Sequence, residues 1–261
     1  IGESVPASLT DINGTLFFTA DDGTHVQELW TSDGTEAGTT LVKDISEISS
    51  GPRQITNVNG VAFFTADDRT SSEFIHGYEL WKSDGTSDGT VLVKDINPGP
   101  SPSLSYQSYF TAGGGKLFIN ADDGTHGESL WISDGQEAGT LLLKDINNQS
   151  NNAYIESLVA VNKSLFFTAN DGIHGAELWK SDGQNSGTAL VKDISSWISA
   201  PAPRNLTAMG SELYFSVYSQ LWKSNGEEAG TEVIKTISGN SSDPYIAELI
   251  DLNGLLLFRA N

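Results

Sequence analysis

The stretch ELWTSDGTEAGTTLVKDI, residues 28–45, has four further copies along this chain of 261 residues. Each copy contains one tryptophan, and these are Trp30, Trp81, Trp131, Trp179 and Trp222. Successive tryptophans lie 51, 50, 48 and 43 residues apart. A single unit of such a repeat cannot bury its apolar residues alone and must pack on its neighbours. The sequence therefore predicts an array of similar units.

One unit, residues 8–45, contains four short apolar stretches separated by turn signals. Asn13-Gly14 is a dipeptide that tolerates the positive φ angles of a tight hairpin turn, and Asp33-Gly34 marks a second turn. No stretch has apolar residues at the i, i+3, i+4 and i+7 spacing of an amphipathic helix. Four strands of about five residues each, joined by tight turns, predict an antiparallel meander.

An array of such meanders predicts an all-β fold, a β-propeller in which each four-stranded antiparallel meander is one blade. A β-solenoid is the rival fold, but its coils are usually shorter and its ladders are parallel. We expect one domain over residues 1–261, with blades at 8–45, 54–96, 107–146, 156–194 and 204–237 and a half blade at 247–261. Six ring positions are favoured over a closed ring of five blades. The stop within a blade is also typical of a fragment of a longer repeat protein.

The charge of the chain limits its partners. It has 14 Lys and Arg against 34 Asp and Glu, and this net charge of −20 would repel nucleic acid and anionic membranes. No stretch approaches the roughly 20 apolar residues of a transmembrane segment. Cysteine is absent, which excludes disulfides and thiolate metal sites. Abundant Gly, Ser, Thr, Asn and Asp with little Lys is typical of a secreted bacterial protein, so we expect an extracellular or cell-surface location.

The repeat signature Glu-Leu-Trp-x-Ser-Asp-Gly-Thr-x-x-Gly-Thr resembles that of the bacterial ELWxxDGT-repeat family, and the match covers nearly the whole chain. The departures are Ser129 for the Glu of the third unit, Gln136 and Gln184 for the Thr after Gly, and Gln220, Asn225 and Glu227 in the fifth unit. The resemblance implies an exported, repeat-built and non-enzymatic protein, and it transfers no catalytic residues.

Polar residues recur at one end of the predicted blades. All four histidines lie in the loop before the Glu-Leu-Trp strand, each after an aspartate, and the pairs are Asp22 with His25, Asp68 with His76, Asp123 with His126, and Asp171 with His174. The strands that follow add Glu28, Glu79 and Glu177 at one strand start and Asp44, Asp95, Asp145 and Asp193 at one strand end. The fifth unit has lost this whole set but keeps Trp222. The joint loss predicts that the set forms one interacting cluster in each blade.

Two interpretations of this cluster are open. In the first, each cluster is a cation site, because carboxylate and carbonyl oxygens suit Ca²⁺, while His with two carboxylates suits Zn²⁺ or Mn²⁺ better. In the second, each histidine donates to the aspartate of its own loop, while the glutamate and the strand-end aspartate accept bonds from loop amides or from lysines such as Lys43. Side-chain bonds of this kind fix many turns without any ligand.

Other residues are candidates for ligand binding. The repeated tryptophans are expected in the core, because Trp222 persists where the polar set is lost. Trp197 differs, since it lies outside the repeat in the connector between the fourth and fifth units. Arg53 and Arg204 share a Pro-Arg-x-Ile/Leu-Thr register at the start of a unit, where an anion could bind, although most arginines of so acidic a chain should pair with carboxylates.

Catalysis has little support in the sequence, because the polar residues repeat around the array and no unique nucleophile and base stand out. We therefore expect a non-catalytic binding or adhesion module that makes multivalent contact with glycan or protein surfaces through the Asp/His loops, with a cation assisting. The alternatives are a polysaccharide hydrolase or lyase working at the propeller centre, and a structural spacer of a larger surface protein.

Overall fold

The computed structural model describes residues 4–73, 75–148, 151–194, 201–237 and 245–260. Within these ranges the chain forms five four-stranded sheets and one two-stranded sheet, in which strands adjacent in sequence are adjacent in the sheet. The first two sheets consist of β1 (Ala7–Ile12), β2 (Thr15–Ala20), β3 (Glu28–Ser32) and β4 (Thr40–Lys43), and of β5 (Arg53–Val58), β6 (Val61–Asp67), β7 (Tyr78–Ser83) and β8 (Val91–Lys94). The third consists of β9 (Phe110–Gly113), β10 (Lys116–Asp122), β11 (Glu128–Ser133) and β12 (Leu141–Lys144).

The later sheets repeat this order. The fourth consists of β13 (Glu156–Val161), β14 (Ser164–Asn170), β15 (Ala176–Ser181) and β16 (Ala189–Lys192). The fifth consists of β17 (Arg204–Met209), β18 (Glu212–Val217), β19 (Gln220–Ser224) and β20 (Glu232–Thr236), with a 3₁₀ turn at Glu228–Gly230, and the last pair consists of β21 (Ile246–Leu252) and β22 (Leu255–Ala260). The predicted antiparallel meander is confirmed in all five complete units. No helix among the described residues is long and apolar enough to cross a membrane.

The chain divides into two compact units. The first comprises residues 1–127 and 131–141, and the second comprises residues 128–130 and 142–261. The first unit therefore contains the first two sheets and most of the third, while the second unit contains the fourth and fifth sheets and the last strand pair.

The hairpin turns between first and second strands follow the sequence signals. Asn13 and Gly14 have φ angles of 56° and 84°, and Gly114 and Gly115, which replace them in the third sheet, have 58° and 77°. Positive φ at both central residues is the backbone twist that a two-residue hairpin needs.

The Ser-Asp-Gly-Thr turn between third and fourth strands is held by side chains of the repeat signature. Ser32 Oγ lies 2.7 Å from Thr39 Oγ1, and Asp33 Oδ1 accepts bonds from the N–H and the hydroxyl of Thr35. A Cβ on Gly38 would lie 2.0 Å from Asp33 Oδ1, so only glycine fits there. The serine–threonine contact is 2.7 Å in every complete sheet, the others being Ser83–Thr90, Ser133–Thr140, Ser181–Thr188 and Ser224–Thr231. The serine, aspartate, glycine and threonine residues of the repeat signature therefore stabilise this turn.

Within each unit, neighbouring sheets pack face to face through the apolar residues of their strands. In the first unit, Phe17 of the first sheet packs in one core cluster with Phe64 and Trp81 of the second. Lys43 adds a polar contact there, since its Nζ donates to the Thr90 carbonyl oxygen at 2.8 Å. In the second unit, the fourth and fifth sheets share a cluster of the same kind. The tryptophans of the second to fifth sheets are buried and that of the first is half-buried, which confirms their predicted core role.

A β-bulge interrupts the first strand of most sheets, and the sequence did not predict it. In the first sheet Ala7 pairs with Thr19 and Thr10 with Phe17, so two residues oppose one. The first residue of each bulge has a positive φ, and these residues are Ser8, Gln54, Ser157, Asn205 and Glu248. Bulges re-aim the neighbouring side chains and are common beside functional sites.

Candidate binding site at the loop ends

Each sheet has one end at which the second strand leads into the third and the fourth leads into the connector to the next sheet. We call this the loop end. In the first sheet it comprises residues 21–27 and 44–52, whereas the opposite end carries the compact turns described above. Long irregular segments on a rigid scaffold are where binding residues concentrate.

In four sheets the loop histidine is paired with the aspartate before it. The distance from His Nδ1 to Asp Oδ2 is 3.0 Å for His25–Asp22 and 2.7 Å for His76–Asp68, His126–Asp123 and His174–Asp171. Asp22 Oδ1 also accepts bonds from the backbone N–H groups of Thr24 and His25. The aspartate thus fixes both the loop backbone and the imidazole, as the second interpretation predicted.

This pairing shifts the pKa values of both partners. The hydrogen bond from the His25 ring, followed by two backbone N–H groups, lowers the pKa of Asp22 to about 2. The same hydrogen bond raises the pKa of His25 against the opposing effect of burial, and the charges of Asp44 and Glu28 raise it further. The groups that raise the pKa of His174 in the fourth sheet are Asp171, Asp193 and Glu177. The polar residues predicted to form one cluster are therefore within electrostatic reach of each other in these two sheets.

The glutamate of the Glu-Leu-Trp strand holds the connector that follows its sheet. Glu79 is completely buried, and its carboxylate accepts bonds from the N–H groups of Ile96 and Ser103, both at 2.8 Å, and from the Ser103 hydroxyl. Burial raises the pKa of Glu79 to about 8, although these hydrogen bonds oppose the rise. Glu28 makes the corresponding contacts in the first sheet. These carboxylates are therefore bound by protein groups.

The third and fifth sheets depart from this arrangement. Ser129 replaces the glutamate of the third sheet, and the preceding residue takes over its role, since Glu128 Oε1 accepts a bond from the Ile155 N–H at 2.8 Å. In the fifth sheet the replacement is Gln220, whose Oε1 accepts a bond from Trp222 Nε1 at 3.2 Å.

Some aspartate oxygens at the loop ends are buried and have no hydrogen-bond partner among the described residues. Within the described ranges, Oδ1 of Asp68, Asp95 and Asp145 has no hydrogen-bond partner, while the other oxygen of Asp95 accepts a bond from the Gly99 N–H at 3.1 Å. In the part of the chain that the structure describes, no group of three or more His, Asp or Glu side chains is arranged to hold a metal ion. The metal site stays a prediction.

Arg53, a predicted ligand-binding residue, is covered by two tyrosines. Its guanidinium carbon lies 3.4 Å from the centre of the Tyr106 ring and 5.3 Å from that of Tyr78, and its Nη2 donates to the Tyr106 hydroxyl at 2.6 Å. Arg204 occupies the corresponding position in the fifth sheet and lies in a cleft with Tyr218 and Tyr245. Trp197 lies outside the described residues.

Exposed tyrosines at the loop ends are the feature that sequence reasoning missed. Of the seven tyrosines, five are exposed, and all of these lie in a connector or in the turn between second and third strands: Tyr106, Tyr109, Tyr154, Tyr218 and Tyr245. Their absence from the alternating apolar pattern was the available signal, because an aromatic residue in an irregular segment has no strand partner to pack on. A tyrosine ring offers a rigid apolar face with a polar tip, which suits recognition.

Several solved structures share the fold of this chain at low sequence identity. No protein-family model and no curated protein matches the chain. A solved puromycin hydrolase structure matches with a TM-score of 0.58 and 14% identity, over 98% of this chain and 42% of that chain. A prolyl endopeptidase structure matches with a TM-score of 0.58 and 9% identity, over 97% of this chain and 38% of that one.

Oligopeptidase B from Leishmania major matches with a TM-score of 0.56 and 11% identity, over 95% of this chain and 35% of that one. The chain thus spans less than half the length of these proteins. At such identities the likeness concerns the fold alone, and together with the four-stranded antiparallel sheets it is consistent with a propeller-like domain.

Proposed function

We propose that the chain is a non-catalytic binding module whose loop ends make multivalent contact with glycan or protein surfaces outside a bacterial cell. The exposed tyrosines carry the proposal, because all five lie at the loop ends of their sheets. Burying one tyrosine ring against the apolar face of a sugar removes a large apolar area from water while the hydroxyl stays hydrogen-bonded. We also propose that the sheets form a β-propeller with six ring positions.

Multivalent contact is supported by the similarity of the Asp–His pairs. The four histidine side chains are exposed to nearly the same extent, between 31% and 41%, and each is fixed by an aspartate. Four similar polar positions, one at the loop end of each of four sheets, would allow several weak contacts to act together, and linked contacts can exceed any single one by a factor of about 10² or more.

Cation assistance is proposed for the second sheet, where Asp68 and Asp95 each keep one buried oxygen without a partner among the described residues. Ca²⁺ is the favoured ion, since it prefers carboxylate oxygens, with Zn²⁺ or Mn²⁺ as alternatives. Calorimetry of the chain with CaCl₂ should then show binding that Asp95→Asn weakens. An unchanged melting temperature in Ca²⁺ and in EDTA would remove this part of the proposal.

Calorimetric titration with a panel of neutral and uronate-containing oligosaccharides tests the function. We expect several weak sites per chain, and a loss of affinity of about tenfold when Tyr106 and Tyr154 are both replaced by alanine. Leu141→Ala is the matched control, because Leu141 is an exposed apolar residue beside the compact turn at the other end of its sheet. Release of new reducing ends during the titration would contradict a non-catalytic role, and no binding by any member of the panel would contradict glycan recognition.

A further inference from the structure

A cleft of about 440 Å³ opens at the loop end of the fifth sheet. It is lined by the starts of β17 and β21 and by the end of β18, and Arg204, Asn205, Ser216, Tyr218 and Tyr245 contribute its polar and aromatic groups. All of these residues belong to the second unit. The volume lies within the range of about 300–1,000 Å³ that is usual for small-molecule sites.

The cleft occurs in the sheet that lacks the polar cluster. In the first sheet seven residues, 21–27, connect the second and third strands, but in the fifth sheet Tyr218 and Ser219 alone connect β18 to β19. Tyr218 has a φ of 52° in this tight turn. The fifth sheet therefore has no Asp–His loop over its loop end, and the aromatic ring of Tyr218 lies in the cleft wall instead.

Side-chain hydrogen bonds hold the floor of the cleft. The Asn205 amide donates to Ser216 Oγ at 2.9 Å and to the Ile246 carbonyl oxygen at 3.0 Å. Asn205 is also the bulge residue of β17, and its positive φ sets the direction in which the chain leaves Arg204. Three strands are thus fixed relative to one another, which makes the cleft a preformed site.

Arg204 places a positive charge in the cleft. Two of the other three arginines form ion pairs, Arg69 with Asp67 and Arg259 with Glu248, and Arg53 donates to Tyr106. Among the described residues, the Arg204 side chain forms neither an ion pair nor a hydrogen bond, although the chain carries a net charge of −20. A cation that remains available in so acidic a protein favours an anionic ligand, and a guanidinium can bind a carboxylate through two parallel hydrogen bonds.

Arg53, which occupies the same position in the second sheet as Arg204 does in the fifth, shows which kind of group packs on an arginine there. It also stands directly before a bulge residue, and its guanidinium carbon lies over the Tyr106 ring, 3.4 Å from the ring centre. In the first unit a protein side chain therefore occupies the position over the arginine. In the second unit the corresponding arginine lines an open cleft with two exposed tyrosines beside it.

We infer that the Arg204 cleft binds one uronic acid residue of a glycan, with the sugar carboxylate on Arg204 and the sugar ring against Tyr218 or Tyr245. The net charge of −20 disfavours a long polyanion but acts weakly on one carboxylate held at a guanidinium, because salt at about 0.15 M screens exposed charges beyond about 8 Å. The inference rests on the proposed binding function and names the ligand class of one site. A neutral sugar would leave the guanidinium unpaired, so the site should discriminate by charge.

Calorimetry with trigalacturonate and with its neutral counterpart, a galactose trisaccharide, tests the inference. We expect one trigalacturonate per chain at this site, at least tenfold weaker binding of the neutral sugar, and a loss of at least tenfold in trigalacturonate affinity for Arg204→Gln. Lys223→Gln is the matched control and should bind like the wild type, because it removes one positive charge from the same sheet at the compact-turn end, where Lys223 pairs with Glu232. Circular dichroism of each variant checks that it is folded.

Each outcome bears on a different claim. Equal binding of the two sugars, or an Arg204→Gln variant that binds trigalacturonate as the wild type does, would overturn the cleft assignment while the binding function stands. No binding of any glycan of the larger panel would overturn both. Tyr218→Ala, which removes the ring and keeps the charge, should weaken both sugars together, and an unchanged affinity in that variant would also count against the site.

Discussion

At the scale of single residues, the glutamate of the repeat is a connector anchor. Three of its copies, Glu28, Glu79 and Glu177, are buried, and each accepts a hydrogen bond from a backbone N–H of the following connector. Bonds of this kind position a loop without contributing to ligand contact. This repeated residue of the loop end therefore serves the fold, while the exposed tyrosines of the loop ends do not repeat.

Removing this glutamate should destabilise the folded chain. Glu79→Ala leaves three buried donors without an acceptor, and we expect it to lower the free energy of unfolding by about 3 kcal/mol. Gln220→Ala, at the corresponding position of the fifth sheet, removes one bond to Trp222 and should cost about 1 kcal/mol. Urea denaturation of both variants measures the difference, and equal losses would contradict the role of Glu79 as the connector anchor.

The raised pKa of Glu79 also predicts a pH dependence. Its pKa is about 8 in the folded chain and 4.5 ordinarily, so the folded state holds a proton that the unfolded state has lost between these values. Stability should therefore fall as the pH rises from about 4.5 to 8, because the unfolded state binds fewer protons there. Melting temperatures at pH 5, 6, 7 and 8 should decline by several degrees in the wild type and less in Glu79→Gln. A wild-type melting temperature that rises over this range would contradict the assignment.

At the scale of the strand, the same register position has different surroundings in different sheets. Leu9 and Leu206 both follow the bulge residue of a first strand. Leu206 is buried in the cluster between the fourth and fifth sheets, whereas Leu9 is 62% exposed. Identical side chains at equivalent positions thus separate the effect of packing from that of strand propensity.

We expect packing, rather than strand propensity, to determine how much stability is lost at these two positions. Leu206→Ala should lower the free energy of unfolding by about 2–4 kcal/mol, because it creates a cavity between two sheets. Leu9→Ala should change it by less than about 0.5 kcal/mol. Thermal or urea unfolding measures both values. A similar loss at both positions would mean that face-to-face packing of the sheets is not what stabilises the array.

Much of each sheet could be predicted from the sequence, because its causes are local. Asn13-Gly14 and the Ser32–Thr39 turn are set by backbone preference and by bonds between residues at most seven positions apart. The bulges could not be predicted, since their residues differ from sheet to sheet: Ser8, Gln54, Ser157, Asn205 and Glu248. The positive φ of these residues depends on how their strand pairs with the next strand, so no single residue type identifies a bulge in the sequence.

The candidate site was predictable only in part for a similar reason. The Asp–His pairs follow from their spacing, and one of the two interpretations of the sequence described them correctly. The Arg204 cleft depends on the short turn at Tyr218 and on the start of β21 beside it, so Tyr218 and Tyr245 line one cleft only in the folded unit. The lost polar set of the fifth unit was visible in the sequence, but the space that it leaves was not.

At the scale of the whole molecule, the two ends of the sheets have different chemistry. The polar groups of the compact turns bond to one another, as at Asp33 and Thr35. The loop ends carry the exposed tyrosines, the paired histidines and Arg204. This contrast is the central claim of the proposed function, since it assigns ligand contact to one end of each sheet.

Hydrogen–deuterium exchange with mass spectrometry, with and without the tightest-binding glycan of the panel, tests that claim most directly. We predict slower exchange on binding in loop-end segments such as 21–27, 104–109 and 153–156 and around Tyr218, with no change in the turns at 33–38, 84–89 and 134–139. Protection of those turns, with unchanged exchange at the loop ends, would contradict the account.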